Sequence, residues 1–384
     1  MALVVLFQNF KPNTRWHRSL RADDNHSNNS SSNSRNNPSN KTNPTRESPA
    51  VLEQTNKETT LPSLWPGIPT RAWKTTPMKL VRIGTGGPVE KAREFLLDHL
   101  DEFLDLYQKR PHQSNTCGMR LSHSLAIWTI AKRLQPTTII ESGINAGQST
   151  YFFRKACPQA KIISIDPLET PICQQAARWI DTTNNEYMTG KKFTDFDAIN
   201  WQERIANQDI DPATTLILMD DHQGFFNRMK TFVRYGFRHL INDDNYKWNE
   251  GATRLDKEGW MPKQMFYQTA SSNAEWLFYN LRHYAEFPPL LSPLLVSKNA
   301  THAKKVQGGF LHPTDDLTSI EEPLLRPELD SNDRKVLERI ALALNLDATM
   351  VDAESYQEFM GYCFICYLEL IPLAPMLQSA WGLG

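Results

Sequence analysis

Apolar residues along this chain recur at a helical period in some stretches and form short unbroken runs in others. From Glu90 to Tyr107, Ala92, Phe95, Leu96, Leu100, Phe103, Leu104 and Tyr107 share one helical face. The same period predicts a helix over 121–134, stopped by Pro136. Thr138–Glu141, Lys161–Asp166, Thr214–Met219 and Phe237–Asn242 are short, apolar and β-branched, which predicts buried strands. Helices are predicted between them, over 149–156, 172–180 and 225–235. Buried strands separated by helices imply an α/β, doubly wound, mostly parallel sheet covered on both faces.

Outside that alternation the pattern changes. Residues 1–60 form an arm that turns Asn/Ser-rich after residue 22, with no apolar periodicity to offset ordering entropy, and are expected to be disordered. Residues 61–90, with several Pro and Gly, read as an irregular lead-in. The α/β domain is expected over 91–300. Helical periods over 272–284, 333–344 and 353–370 put the end of that domain and a helical C-terminal extension at 301–384. Residues 246–270 read as an irregular insertion in which Trp248, Arg254, Trp260 and Lys263 either line an acceptor site or pack on the surface.

Composition adds mostly exclusions. The chain has 384 residues, 40% of them hydrophobic, and a formal net charge of −1, so it announces no basic face for nucleic acid. Five cysteines in no disulfide-like spacing fit a reducing compartment, and Cys363 and Cys366 read as packed core thiols. The early apolar run from Ala2 to Phe7 is too short to span a bilayer, so a cytoplasmic location is expected.

The segment Ile140-Glu-Ser-Gly-Ile-Asn-Ala-Gly-Gln-Ser-Thr150 joins a predicted strand to a predicted helix. Gly143 and Gly147 permit a tight turn with close backbone approach, and Ser149 is placed to cap the helix. Glu141 sits at a strand's carboxyl end, where open α/β sheets bind ligands. The next strand ends in Asp166, and an acidic residue there accepts hydrogen bonds from ribose hydroxyls. The Gly-x-x-x-Gly spacing differs from the dinucleotide Gly-x-Gly-x-x-Gly, and the leading acid repels phosphate but suits a sulfonium.

This segment resembles motif I of class I S-adenosylmethionine-dependent methyltransferases. The resemblance implies a Rossmann-like methyltransferase fold, with S-adenosyl-L-methionine contacted by Glu141, Gly143, Asn145, Gly147, Ser149 and Asp166. Two later strands also end in acids, at Asp220-Asp221-His222-Gln223 and Asp243-Asp244-Asn245. Clustered Asp and Asn oxygens suit a hard divalent ion such as Mg²⁺. In order and spacing the whole set, about residues 120–246, is similar to the metal-dependent O-methyltransferases of the catechol, caffeoyl-coenzyme-A, macrolide-sugar and cephalosporin-hydroxylase-like kinds. That similarity implies Asp220, Asp244 and Asn245 as Mg²⁺ ligands, with Asp221 and Asp243 as competing choices one residue away. It also implies a small-molecule or sugar hydroxyl as methyl acceptor.

One position departs from the pattern. Catechol-type enzymes carry a catalytic lysine where this chain has Gln223, which cannot act as a base. His222 is the neighbouring alternative, with an imidazole suited to the task. Two other readings stay open: a nicotinamide-dependent reductase on a related scaffold, and a methyltransferase-fold binding protein without catalysis.

Overall fold

The structure, a computed structural model, describes residues 82–83, 85–113, 119–171, 177–221, 223–243, 245, 261–267, 276–277, 279–291, 322–349, 355, 358–359 and 365–371. The expected arm at 1–60 lies outside the described residues, as does nearly all of the lead-in at 61–90.

Eight strands form one sheet: β1 (Arg82–Ile83), β2 (Thr138–Ser142), β3 (Lys161–Asp166), β4 (Asn185–Thr189), β5 (Thr215–Met219), β6 (His239–Asn242), β7 (Leu281–Glu286) and β8 (Cys366–Leu370). Their order is β1-β7-β8-β6-β5-β2-β3-β4. Strands β4, β3, β2, β5 and β6 run parallel, and β8 enters antiparallel between β6 and β7. This is the α/β, mostly parallel, doubly wound arrangement expected from the sequence. Every residue of β2 and β5 is buried, as continuous apolar runs in the middle of a two-faced sheet must be.

Helices α1 (Ala92–Asp98), α2 (Leu100–Gln108), α3 (Leu121–Leu134), α4 (Gln148–Ala156) and α8 (Ser331–Leu344) supply the core of one face. There Phe103 packs against both Trp128 and Phe152, and burying each side chain is worth about 1.5–3 kcal/mol. Helices α5 (Trp201–Ala206), α6 (Phe225–Tyr235) and α7 (Pro262–Tyr267) cover the other face with Trp201, Phe232 and Met265.

Several elements differ from the sequence reading. The predicted helix over 90–107 is broken at His99, whose φ of −120° leaves the helical region. Residues 177–180 are not helical, and 172–176 lie outside the described residues. Leu281–Tyr284 and Cys366–Leu370, read as helix ends, lie in β7 and β8, which are hydrogen-bonded to each other. Short apolar runs satisfy both periods, and pairing with a distant partner decides between them. The C-terminal stretch therefore contributes both α8 to one face and β8 to the sheet.

At the carboxyl edge the register aligns Ile165, Ser142, Met219, Asn242, Cys366 and Glu286 in one row across six strands. The strand ends at this row, the loops leaving it and the first turn of α4 carry every sequence-predicted site residue that is described.

Candidate functional site

The loop from β2 to α4 is tied to its neighbours through backbone. Gly143 N–H donates to Ile165 O at 2.9 Å, and Asp220 N–H donates to Ser142 O at 2.9 Å. Gly143 has φ +88°, and a Cβ there would collide with the Asp220 carbonyl. Gly147, at φ +83°, is the N-cap of α4, and a Cβ there would meet the Trp179 carbonyl. Asn145 between them also has a positive φ, 39°, a conformation asparagine tolerates.

Ser149 does not cap α4, because the cap has no side-chain hydrogen bond. The Ser149 hydroxyl donates instead to Glu141, and Thr150 Oγ1 donates to the same carboxyl at 2.6 Å. Glu141 is 0% exposed. Burial pushes its pKa up to about 7, against the opposing effect of these two hydroxyls. Glu141 thus joins β2 to the first turn of α4 from beneath the loop.

Asp166, at the end of β3, faces the loop from the other side. Its Oδ2 accepts from Ile144 N at 3.2 Å, Asn145 N at 3.0 Å and Arg178 Nη2 at 3.2 Å. Its Oδ1 accepts from Leu168 N at 2.8 Å. Arg178 also donates to Asn145 O at 2.7 Å and Leu168 O at 3.1 Å. Trp179 N–H donates to Ala146 O at 2.9 Å, so residues 178–179 lie along the glycine loop. No sequence motif pointed to Arg178, because its partners lie 10 to 33 residues away.

Beyond β5 and β6 a pocket is lined by Met219, Asp220, Asp221, Gln223, Phe225, Asn242, Asp243 and Met261. Asp221 Oδ2 accepts from Ser142 Oγ at 2.6 Å and from Arg228 Nη2 at 2.9 Å. Arg228 is buried and also holds both carboxylate oxygens of Asp195, at 2.9 and 3.1 Å. Gln223 turns back on the same residue, with its N–H donating to Asp221 Oδ1 at 3.2 Å. Asp243 lies 3.4 Å from Nε2 of His123, a buried residue of α3 whose pKa burial lowers to about 3. The predicted base His222 and the predicted ligand Asp244 lie outside the described residues, as do Trp248, Arg254 and Trp260.

Asn245 is buried and its amide is engaged at both ends. Oδ1 accepts from Lys263 N at 2.9 Å, and Nδ2 donates to Tyr284 Oη at 2.9 Å. Tyr284 Oη donates to Glu286 at 3.0 Å, and Lys263 Nζ donates to the other oxygen of Glu286 at 2.6 Å. Lys263, one of the residues expected at an acceptor site or on the surface, is therefore a buried partner of Glu286. Burial raises the Glu286 pKa, and the ammonium of Lys263 works against that rise.

The donor chemistry fits the groups the sequence implied. A nucleoside finds a carboxylate, Asp166, beside a glycine loop that opens a helix. One pocket wall presents three carboxylates and two amides, donor types that suit a hard cation, with the Asp221 carboxylate already engaged by Ser142 and Arg228. Among the described residues, no group of three or more His, Cys, Asp or Glu has metal-site geometry. No described helix is long and apolar enough to cross a membrane.

The sequence matches no family model and no curated protein. Among solved structures, it is similar to CmcI-N160 in its apo form at 20% identity, over 46% of this chain and 69% of that one, with a TM-score of 0.30. CmcI-D160 with Mg and SAM shares 18% identity over 48% of this chain and 76% of that one, TM-score 0.28. An O-methyltransferase from Bacillus cereus in complex with SAH shares 14% identity over 39% of this chain and 71% of that one, TM-score 0.24.

Proposed function

We propose that this chain is an S-adenosyl-L-methionine-dependent O-methyltransferase that uses Mg²⁺ and acts on a hydroxyl of a small molecule or sugar. One observation carries the reading. The Ser142–Asp221 hydrogen bond, 2.6 Å, joins the strand that opens the glycine loop to the acidic end of β5. In this reading the nucleoside subsite at the loop and the cation pocket would adjoin on one sheet edge, where open α/β sheets take their ligands.

In this reading Glu141, Gly143, Asn145, Gly147, Ser149 and Asp166 form the cofactor subsite. Their parts differ. Gly143 and Gly147 allow the loop its turn, Glu141 and Ser149 hold the loop to the helix, and Asp166 takes the ribose hydroxyls. Asp220, Asp244 and Asn245 hold the cation. Asp243 lines the same pocket as Asp220 and is the alternative to Asp244. Asp221 is the poorer choice at β5, because Ser142 and Arg228 already engage its carboxylate. Asn245 Oδ1 accepts one N–H, and an amide oxygen has a second lone pair. A bound divalent cation orients substrate oxygens and lowers the pKa of the attacking hydroxyl.

The chain's own contribution is mainly positional, since holding the acceptor hydroxyl in line with the methyl donor supplies much of the acceleration. His222 is the proposed base, because Gln223 has no basic atom and turns its N–H groups toward Asp221.

Calorimetric titration of the full chain with S-adenosylmethionine, S-adenosylhomocysteine and NAD(P)H, with and without Mg²⁺, tests the reading. Binding of the two S-adenosyl ligands and not of the nicotinamide is expected. NAD(P)H binding without S-adenosyl binding would replace the proposal with a reductase.

A further inference from the structure

The nucleoside subsite contains an internal competitor. A carboxylate offers about four acceptor positions, two on each oxygen. Asp166 Oδ2 already takes three donors: Ile144 N, Asn145 N and Arg178 Nη2. Oδ1 takes one, Leu168 N. A single ligand hydroxyl has room at Oδ1. A vicinal diol that uses both oxygens also needs Oδ2, which already shares its lone pairs among three donors and takes a hydroxyl only in exchange for one of them.

The three Oδ2 donors are not equally replaceable. Ile144 and Asn145 are backbone groups of the glycine loop, whose path is set by Gly143 against the Asp220 carbonyl. Arg178 is a side chain with rotatable bonds and two other acceptors, Asn145 O and Leu168 O. Its Nη2 reaches Asp166 at 3.2 Å, long for a charge-assisted bond. The guanidinium can give up Asp166 and keep its carbonyl partners, whereas the loop amides cannot leave without unfolding the turn.

We propose that Arg178 sets the affinity of the nucleoside subsite by competing with the ribose hydroxyls for Asp166. This rests on the methyltransferase reading of the site. Binding of a ribose diol exchanges a guanidinium on Oδ2 for a hydroxyl, and the intrinsic affinity is reduced by the cost of that exchange. Side chain and ligand thus share one acceptor. A nucleoside ligand lacking the diol leaves Arg178 in place and is insensitive to it.

The experiment is calorimetric titration of the full-length wild type, Arg178→Met and Arg178→Lys with S-adenosylhomocysteine and with its 2′,3′-dideoxy analogue. S-adenosylhomocysteine is expected to bind Arg178→Met roughly tenfold more tightly than wild type, the scale of one charge-assisted hydrogen bond. Arg178→Lys keeps the charge but not the planar fork, and should fall between the two. The dideoxy analogue should bind all three equally. Thermal melts without ligand should show the Met variant less stable, since Asp166 loses its counter-charge. A merely structural arginine would lower the melting point and leave S-adenosylhomocysteine affinity unchanged or weaker, which overturns the proposal. Should the Met variant not fold, a Lys variant that binds no more tightly than wild type overturns it as well. Failure of every form, wild type included, to bind S-adenosylhomocysteine overturns the underlying reading together with the inference. Wild-type binding without gain in either variant overturns the inference alone.

Discussion

Arg228 and Asp221 meet at 2.9 Å, and that contact makes two adjacent aspartates chemically different. Asp221 is turned to a buried guanidinium and to Ser142, and Asp220 lines the same pocket. Removing Arg228 leaves Asp221 and Asp195 without their cation. Arg228→Met is expected to cost about 3 kcal/mol in urea denaturation, the lower part of the range for a broken buried pair, because Asp195 is partly exposed. Mn²⁺ titration should separate the aspartates. Asp220→Asn is expected to weaken binding roughly tenfold or more, and Asp221→Asn much less. Equal losses would remove the distinction drawn from Arg228.

Gly143 is the tightest point of the edge. Its φ of +88° is strained for any L side chain, and the Asp220 carbonyl occupies the direction a Cβ would take. Gly143→Ala should cost at least about 1–3 kcal/mol. It should also move the end of β5, so ligand affinity falls with stability. Chemical denaturation together with S-adenosylhomocysteine titration checks both. A fully stable alanine variant would contradict this geometry.

Glu141 makes stability depend on pH in an uncommon direction for a carboxyl. Its folded pKa is about 7, above the ordinary 4.5, so the folded state binds a proton through the window from about 4.5 to 7 that the unfolded state does not. Stability should therefore rise as pH falls from 7.5 toward 5, by an amount on the order of 3 kcal/mol from this group alone. Glu358, also pushed up to about 7 by burial, adds in the same direction. Glu141→Gln should flatten the profile. Melting temperatures across pH 5 to 8 for the two proteins measure it, and identical slopes would assign the effect elsewhere.

Lys263 and Glu286 form a buried pair beneath the acidic loop, 2.6 Å apart. Lys263→Met should cost about 3–5 kcal/mol, because Glu286 is left buried without a cation. Replacing both, Lys263→Met with Glu286→Leu, should recover much of that loss. Tyr284 would still lose its acceptor on Glu286, so recovery should be partial. A double-mutant cycle read by denaturant midpoints tests the coupling, and simple additivity would mean the two charges do not depend on one another.

The sequence carried more of the frame than of the site. Helices α3 and α6 run over the residues their periodicity marks, and four of the five parallel strands were visible as buried β-branched runs. Strands β7 and β8 were not. Leu281–Glu286 and Cys366–Leu370 pair across 80 or so residues of chain, and their short apolar runs fit a helix equally well. Strand β4 was missed for a related reason. It is a half-buried edge strand with polar residues, so it lacks the pattern of an inner one.

By its sequence alone this chain determined where a backbone must turn tightly and where acids end consecutive strands, because both follow from local residue types at fixed spacing. Gly143, Gly147, Asp166, Asp220 and Asp243 were all in view on those grounds. Only the tertiary structure decided which of these groups face a ligand space and which are taken by the protein itself. Arg178 reaches Asp166, Arg228 reaches Asp221, and Lys263 reaches Asn245 and Glu286. A hydrogen bond needs its partner within about 3 Å. Spacing along the chain says nothing about which distant side chain folding brings that close.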